Sequence, residues 1–205
     1  MFRLINKIFL IIVFQSCIYP VFAANNKEEI LDKIRDVLFS EDGYEMKVTW
    51  DYTYQGENWQ GDGSIHLLGN RYLHLVLPFQ EVLIQDDMIT TKLVETDQVI
   101  IDYFSKNDPS SIFSILLNGF HSFVVTEVEN RNDGILEVEC ANRSLVGFEK
   151  LKLTLNENSW IPVGVLASAG EDIQVTISVN QISKLTDDDL IKSAQLTGTE
   201  IIDLR

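Results

Sequence analysis

The hydrophobic pattern of one hairpin departs from the rule for a half-exposed sheet. Residues 64–79 read SIHLLGNRYLHLVLPF, and Gly69-Asn70 has the composition of a two-residue hairpin turn. A hairpin with one solvent face alternates apolar and polar residues, whereas leucine, isoleucine, valine and tyrosine occupy both parities here. Both faces of this hairpin are therefore predicted to be covered, either by core on two sides or by an apolar cavity on one side.

Periodicity along the rest of the chain predicts mostly strands, with two amphipathic helices. Asn26 with Glu29 resembles a capping box, and apolar residues recur at helical spacing over 27–39. A second helix is predicted between Asp108, as its cap, and Gly119, with proline in its first turn. Turn residues divide the remaining pattern into short strands. Strands are predicted near 44–54, 60–68, 71–77, 81–85, 88–94, 98–104, 121–129, 134–140, 147–155, 161–168, 172–183 and 200–204, and a short helix at 186–195.

This inventory predicts a mainly β protein with added helices. An antiparallel sheet of about ten or more strands curls toward a barrel. The helices must bury their apolar stripes, and the concave face of the sheet is the available surface. We therefore predict a curved antiparallel sheet that forms a half-open barrel, with short helices covering its apolar concave face.

The first 23 residues have the pattern of a secretory signal peptide. Arg3 and Lys7 precede the apolar run IFLIIVF, and VFA fits a cleavage site after Ala23. The apolar run is short for a membrane span. A competing interpretation makes Cys17 a lipidated N-terminus, although the preceding FQS fits a lipoprotein box poorly. The sequence thus predicts an exported, periplasmic protein with a single domain over residues 24–205.

Charge and composition exclude several kinds of partner. The chain carries 16 Lys+Arg against 31 Asp+Glu, a formal net charge of −15, while 45% of its residues are hydrophobic. This balance argues against nucleic acid as a partner, because phosphate binding needs clustered cations. The hydrophobic fraction also differs from that of a disordered acidic tail. We expect a folded acidic protein that binds no nucleic acid.

Residues that carry chemistry are sparse. Cys140 is the one cysteine outside the predicted leader, and the strand-like context ILEVECAN predicts a buried apolar role. With a two-residue turn, His66 would pair with Leu73 and His74 with Ile65, so the histidines would lie on opposite faces and share no metal. No phosphate loop, nucleophile elbow or calcium loop occurs. We expect no cofactor, no metal and no enzymatic activity.

Several stretches occur in the order found in one family. A signal peptide and one helix precede GDGSIHLL, a strand ending at Pro78, the pair Asp97-Gln98, the helix SSIFSILLNG and the C-terminal GTEIIDLR. In this order they resemble the periplasmic outer-membrane lipoprotein carriers, the LolA-like proteins. The resemblance implies a cavity that shields the acyl chains of lipoproteins during transport from the inner to the outer membrane. It implies three partners: acylated lipoproteins, an inner-membrane lipoprotein-releasing ABC transporter and an outer-membrane lipoprotein acceptor.

The resemblance also implies which residues line the cavity, and the sequence departs from the family pattern at two positions. The Asp-Gly turn of the family is Asp86-Asp87 here, and its buried arginine, which holds the helical lid shut, falls on Gly69. Arg71 could substitute only if the hairpin has another register. The candidate cavity residues are Ile30, Leu31, Ile34, Leu75, Leu77, Ile84, Leu93, Ile112, Ile115 and Leu116.

Two alternatives belong to other classes of function. The same fold could serve as a lipid- or lipoprotein-binding acceptor or sensor module of the cell envelope. An outer-membrane acceptor would be lipidated, so a lipid on Cys17 favours the acceptor and cleavage after Ala23 favours the carrier. A hydrolase would need a nucleophile with a base partner, which the sequence does not supply.

Overall fold

A computed structural model describes residues 19–205 of the chain, with gaps at 41, 109–110, 132, 145–146 and 186–195 and with side chains from Lys27 onward. The predicted helix at 186–195 lies outside the described residues. The strands begin and end within about three residues of the predicted bounds. The elements are α1 (Tyr19–Leu38), β1 (Tyr44–Tyr54), β2 (Glu57–Leu68), β3 (Tyr72–Val76), β4 (Gln80–Gln85), β5 (Met88–Leu93), β6 (Gln98–Tyr103), α2 (Ile112–Leu117), β7 (Phe123–Arg131), β8 (Ile135–Asn142), β9 (Lys150–Asn156), β10 (Pro162–Ala169), β11 (Ile173–Lys184) and β12 (Glu200–Asp203).

The twelve described strands form one sheet, in the order β12-β6-β5-β4-β3-β2-β1-β11-β10-β9-β8-β7. The edges are β12 and β7, so the sheet is open and the predicted half-open barrel is confirmed. Neighbouring strands are antiparallel except for β12, which runs parallel to β6. The expectation of a purely antiparallel sheet is therefore corrected at this edge. A parallel pair needs a crossover, and the long connection from β11 to β12 supplies it.

One strand pair joins the two halves of the sheet. β1 pairs with β2 on one side and with β11 on the other, from Tyr44 opposite Lys184 to Tyr54 opposite Ile173. We call the β1–β11 pair the seam. Strands β1–β6 form one meander and β7–β11 form another, and the seam holds them together.

The concave face of the sheet carries the main core. Residues Ile30, Leu31, Ile34 and Leu38 recur at helical spacing on α1 and are buried in this core. A smaller cluster on the convex face contains Leu68, Tyr72, Leu83 and Leu185. Successive side chains of the β2–β3 hairpin pack alternately in the main core and in the smaller cluster. Both faces of this hairpin are therefore apolar.

The register of that hairpin differs from the predicted one. Leu68 pairs with Tyr72 and His66 pairs with His74, so the loop has three residues, from Gly69 to Arg71. Gly69 has a φ of +54°, a left-handed conformation that glycine adopts without strain. The extra loop residue shifts the pairing by one position, which turns His66 and His74 to the same face.

Both helices begin elsewhere than predicted. α1 starts at Tyr19 and continues through Asn26, so Asn26 is an interior residue and not a cap. Proline in the first turn and two alanines just after it support this longer helix. α2 is capped by Ser111 and not by Asp108, since the Ser114 N–H donates to the Ser111 hydroxyl at 3.4 Å.

The end of α2 agrees with the prediction. Asn118 caps the helix, and the next residue, Gly119, has a φ of +64°. Glycine at this position stops a helix because it adopts the left-handed conformation without strain.

Candidate functional site

An apolar cavity of about 590 Å³ lies between the concave face of the sheet and α2. Most of the lining comes from β1 and β11, from β2, β3 and the turn after β3, and from α2 with its cap. Single positions at the start of β4 and the end of β10, and two in the β8–β9 loop, complete it. The lining residues are Val48, Trp50, Tyr52, Ile65, Leu73, Leu75, Leu77, Phe79, Gln80, Ser111, Ile112, Phe113, Leu116, Gly147, Phe148, Ala169, Ile173, Val175 and Ile177.

The seam builds one wall of the cavity through simple alternation. Trp50 pairs with Ile177 and Tyr52 pairs with Val175 across β1 and β11. Successive side chains of a strand point to opposite faces, so residues two apart share the concave face. Val48 precedes Trp50 on the same face and also lines the cavity.

The part of the wall next to the seam depends on two glycines of the GDG stretch on β2. Gly61 and Gly63 pair with Trp50 and Val48 in the β1–β2 ladder. A Cβ at Gly63 would lie 2.7 Å from Leu77 Cδ2 and 2.6 Å from the Val76 carbonyl oxygen. The missing side chains therefore make room for the Trp50 indole and for Leu77, which both line the cavity.

α2 divides its residues between cavity and core. Ile112, Phe113 and Leu116 line the cavity, while Ile115 and Leu117 are buried in the packed core. The predicted stripe of Ile112, Ile115 and Leu116 is thus corrected at Ile115. A helix turns by about 100° per residue, so positions 112, 113 and 116 share one side of this short helix.

α1 holds the C-terminal end of α2. Arg35 Nη1 donates to His121 Nδ1 at 2.8 Å, and Arg35 also forms an ion pair with Asp32. A Cβ at Gly119 would lie 2.5 Å from both Cγ and Cδ of Arg35. The stem of Arg35 therefore packs against the glycine that ends α2, and this contact is possible only because Gly119 has no side chain.

The cavity wall carries no charge among the described lining residues. Gln80 and Ser111 supply polar side chains, and Trp50 and Tyr52 add one polar atom each to aromatic rings. The Trp50 indole N–H is buried without a hydrogen-bond partner among the described residues. Such a lining suits an apolar ligand, because an ionised group would lose its hydration there without gaining a counter-charge.

The predicted cavity residues separate into three groups. Leu75, Leu77, Ile112 and Leu116 line the cavity. Leu93 is half-buried on β5, outside the lining. The remaining ones are buried in the core beside the cavity and not on its wall: Ile30, Leu31, Ile34, Ile84 and Ile115.

Sequence reasoning missed all of the aromatic lining. Trp50, Tyr52, Phe79, Phe113 and Phe148 all contact the cavity. The sequence contains a pattern that could have indicated two strands with one shared apolar face. Apolar residues alternate at Val48, Trp50 and Tyr52, and again at Ile173, Val175 and Ile177.

The two histidines of the hairpin lie together on the convex face, contrary to the prediction. Their ring centroids are 5.4 Å apart, and His74 Nε2 lies 2.7 Å from Glu81 Oε1. His66 Nε2 lies 3.8 Å from Glu45 Oε1. Within the described parts of the chain, no group of three or more His, Cys, Asp or Glu residues is arranged to hold a metal ion.

Two positions where the sequence departs from the family pattern lie in turns of the sheet, away from the cavity. Asp86 and Asp87 form the two-residue turn between Gln85 and Met88, with Asp86 at a φ of +57°. Aspartate tolerates this conformation better than most residues. Arg71 is exposed at the hairpin tip and does not reach the cavity, so it does not replace the lid-holding arginine.

Cys140 is buried, as predicted. Burial, with a smaller effect from the neighbouring Glu139 carboxylate, raises the pKa of the Cys140 thiol to about 12. A thiol with this pKa is protonated at neutral pH and is a poor nucleophile.

Together, fold and site define an open half-barrel protein with an uncharged apolar cavity beneath a short helix. No helix among the described residues is long and apolar enough to cross a membrane. No family model matches the sequence, and the search of curated proteins found no match.

Known structures with a similar fold include three bacterial proteins. An uncharacterized conserved protein from Thermus thermophilus has a TM-score of 0.56 and 13% identity, with coverage of 86% of this chain and 98% of that chain. The LolA superfamily protein NE2245 from Nitrosomonas europaea has a TM-score of 0.45 and 12% identity, covering 82% and 97%. A DUF1329 family protein from Desulfovibrio piger has a TM-score of 0.44 and 11% identity, covering 78% and 95%. The overall fold is shared with the Thermus thermophilus protein, and identities this low show a shared fold alone.

Proposed function

We propose that the protein is a periplasmic carrier that shields the acyl chains of lipoproteins and delivers them from the inner to the outer membrane. The observation that supports this proposal is the uncharged cavity of about 590 Å³. Its volume lies within the range of roughly 300–1,000 Å³ that is typical of small-molecule sites. A long acyl chain is a ligand of that size with no charge along its length.

The energetics of the ligand explain why such a cavity is useful. Burial of an acyl chain in an apolar environment contributes about 0.8 kcal/mol per methylene. A long chain exposed to water therefore costs on the order of 10 kcal/mol. The aromatic and aliphatic side chains of β1, β11 and α2 can take over this burial between two membranes.

The partners and the location in this proposal come from the family resemblance. The carrier would receive acylated lipoproteins from an inner-membrane lipoprotein-releasing ABC transporter and pass them to an outer-membrane acceptor. It would be exported and cleaved after Ala23, and it would bind its ligand without catalysing a reaction. Intact-mass measurement of the fractionated protein tests the processing. A diacylglyceryl mass on Cys17 in the membrane fraction would contradict it and favour the acceptor function.

Ligand displacement tests the cavity itself. An environment-sensitive hydrophobic dye is bound to the processed protein and titrated with an acylated peptide or with its deacylated twin. We expect displacement by the acylated peptide alone. Equal displacement by both peptides would refute an acyl-chain site.

Variants on one strand tie the binding to the cavity. Ile177→Asp places a carboxylate on the cavity wall, whereas Ser178→Asp places it on the exposed opposite face of β11. We expect dye binding to be lost in the first variant and kept in the second. Ala169→Trp, which fills the cavity without adding charge, should also abolish binding, so that the test does not depend on a buried carboxylate.

A further inference from the structure

A group of exposed apolar residues borders the cavity near the end of the seam at Tyr54. Tyr54 and Trp59 are each 41% exposed, Phe79 is 46% exposed and Val94 is 47% exposed. We call these four residues the lip. They account for half of the eight exposed large hydrophobic residues in the described part of the chain. Soluble proteins rarely keep clustered apolar side chains in water without a binding partner.

Aromatic contacts connect the lip to the cavity. The Tyr52 ring lines the cavity and stacks on Trp59 at 5.6 Å and on Tyr54 at 6.5 Å between centroids. Phe79 packs edge-to-face on Trp50 at 5.0 Å, and both rings line the cavity. The lip is therefore continuous with the ligand site, and a ligand that leaves the cavity here crosses exposed aromatic rings.

Carboxylates flank the lip on three turns. Glu57 pairs with Tyr54 at the β1–β2 turn, and Glu95 follows Val94, whose N–H donates to the Phe79 carbonyl at 3.0 Å. The third turn touches the same hairpin, because the Gln55 N–H donates to the Asp172 carbonyl at 2.9 Å. These four exposed carboxylates form the acidic rim, and none of them has an ion-pair partner among the described residues: Glu57, Glu95, Glu171 and Asp172.

We propose that the lip and the acidic rim bind the peptide part of the acylated ligand, and that they select peptides with Lys or Arg close to the acylated residue. This inference rests on the proposed function, because the acyl chain must occupy the cavity to bring the peptide to the lip. Exposed Trp and Tyr faces attract cations, and unpaired carboxylates add charge complementarity. An anionic membrane surface is disfavoured as the occupant, since the rim and a net charge of −15 repel it.

Three peptides with one acyl chain and one length test the selection. The residues next to the acylated position are lysine in the first, serine in the second and glutamate in the third. At low salt we expect the lysine peptide to displace the dye at about 10-fold lower concentration than the glutamate peptide. The difference should shrink to about twofold near 1 M salt, where the screening length falls to about 3 Å.

Variants of the lip and of the acidic rim test whether this surface causes the preference for the lysine peptide. Trp59→Ala, and separately the pair Glu171→Gln with Asp172→Asn, should lower the preference for the lysine peptide about threefold. Tyr103→Ala is the control for an exposed aromatic residue. Tyr103 pairs with Met88 at the end of β6 that lies away from the lip, whereas Gln98 at the other end pairs with Leu93, the residue before Val94. The pair Glu127→Gln with Glu129→Gln is the control for net charge, because both residues are exposed on the edge strand β7. Neither control should change the preference.

The outcomes separate this inference from the proposed function. Equal displacement by the three acylated peptides refutes the selection and leaves the acyl site intact. An equal effect of the control variants refutes the role of the lip. Binding of phosphatidylcholine vesicles that depends on Trp59, with no discrimination among the peptides, would make the lip a membrane-docking surface and overturn the proposal. Failure of every acylated peptide to displace the dye would refute the proposed function itself.

Discussion

Two adjacent leucines on α2 distinguish a cavity from a packed core. Leu116 lines the cavity and is half-buried, whereas Leu117 is 1% exposed in the core. Replacement of a fully buried leucine by alanine costs about 2–5 kcal/mol, because it removes buried carbon atoms and leaves a void. Leu116 already faces empty space, so Leu116→Ala should cost only about 1 kcal/mol through the lost contacts.

These free energies give measurable shifts in melting temperature. For a chain of this length, 1 kcal/mol corresponds to about 2–4 °C. Leu117→Ala should therefore lower the melting temperature by about 4–20 °C and Leu116→Ala by about 2–4 °C. Thermal unfolding followed by circular dichroism measures both shifts on matched preparations.

A charge at the same position tests binding. Leu116→Asp places a carboxylate on the cavity wall, where α2 can tilt to expose it to water. We expect a modest loss of stability and complete loss of acylated-peptide binding in the displacement assay. Equal destabilisation by Leu116→Ala and Leu117→Ala would mean that α2 is packed core on both sides. A Leu116→Asp protein that does not fold, or that folds and binds normally, would refute the assignment of α2 to the cavity.

Three further predictions concern the support of the fold. Gly119→Ala and Gly170→Ala impose the same left-handed strain, at φ values of +64° and +61°, but only the new Cβ at Gly119 meets neighbouring atoms. Chemical denaturation should show the Gly119→Ala protein to be about 1–3 kcal/mol less stable than the Gly170→Ala protein. Equal losses of stability would contradict the close contact between Gly119 and Arg35. A hydrogen bond from Lys152 lowers the pKa of Glu137, so its stabilisation is present above the ordinary value of 4.5 and is lost as the pH falls through the lowered value. Denaturation from pH 7 to pH 3 should therefore show Glu137→Gln approaching the parent protein in stability, and a constant difference would contradict the linkage. In a Cys17→Ser background, the folded protein should react with thiol reagents only as fast as it unfolds, because Cys140 is buried; rapid labelling would contradict this burial.

The periodicity of apolar residues predicted the helices and strands well, because the helical repeat of about 3.6 residues and the strand repeat of two residues are local properties of the chain. It could not decide between cavity and core, since that depends on where neighbouring elements end. Ile34 and Leu77 both lie on apolar faces, yet packed side chains surround Ile34 while Leu77 borders empty space. Trp50 and Val175 alternate clearly in sequence, but their wall forms only because β1 pairs with β11, far away in the chain.

The register error in the β2–β3 hairpin has an equally local cause. Gly69 fits either a two-residue or a three-residue loop, and the choice depends on packing of the flanking strands. The three-residue loop places Leu68 beside Tyr72 in the convex cluster and Leu67 beside Leu73 in the main core. One residue more or less in the loop would have reversed the faces of β3 relative to β2.

The seam has a consequence for the order of events during folding. Tyr44 of β1 pairs with Lys184 of β11, so the ladder that builds one cavity wall joins segments on either side of nearly the whole domain. Contacts between such distant segments form late, because the loop entropy must be lost before the contacts stabilise the chain. Each meander can form its own turns while the other is absent, but β1 keeps an open edge until β11 arrives. The cavity is therefore among the last parts of the molecule to form, and a chain truncated before β11 lacks one of its walls.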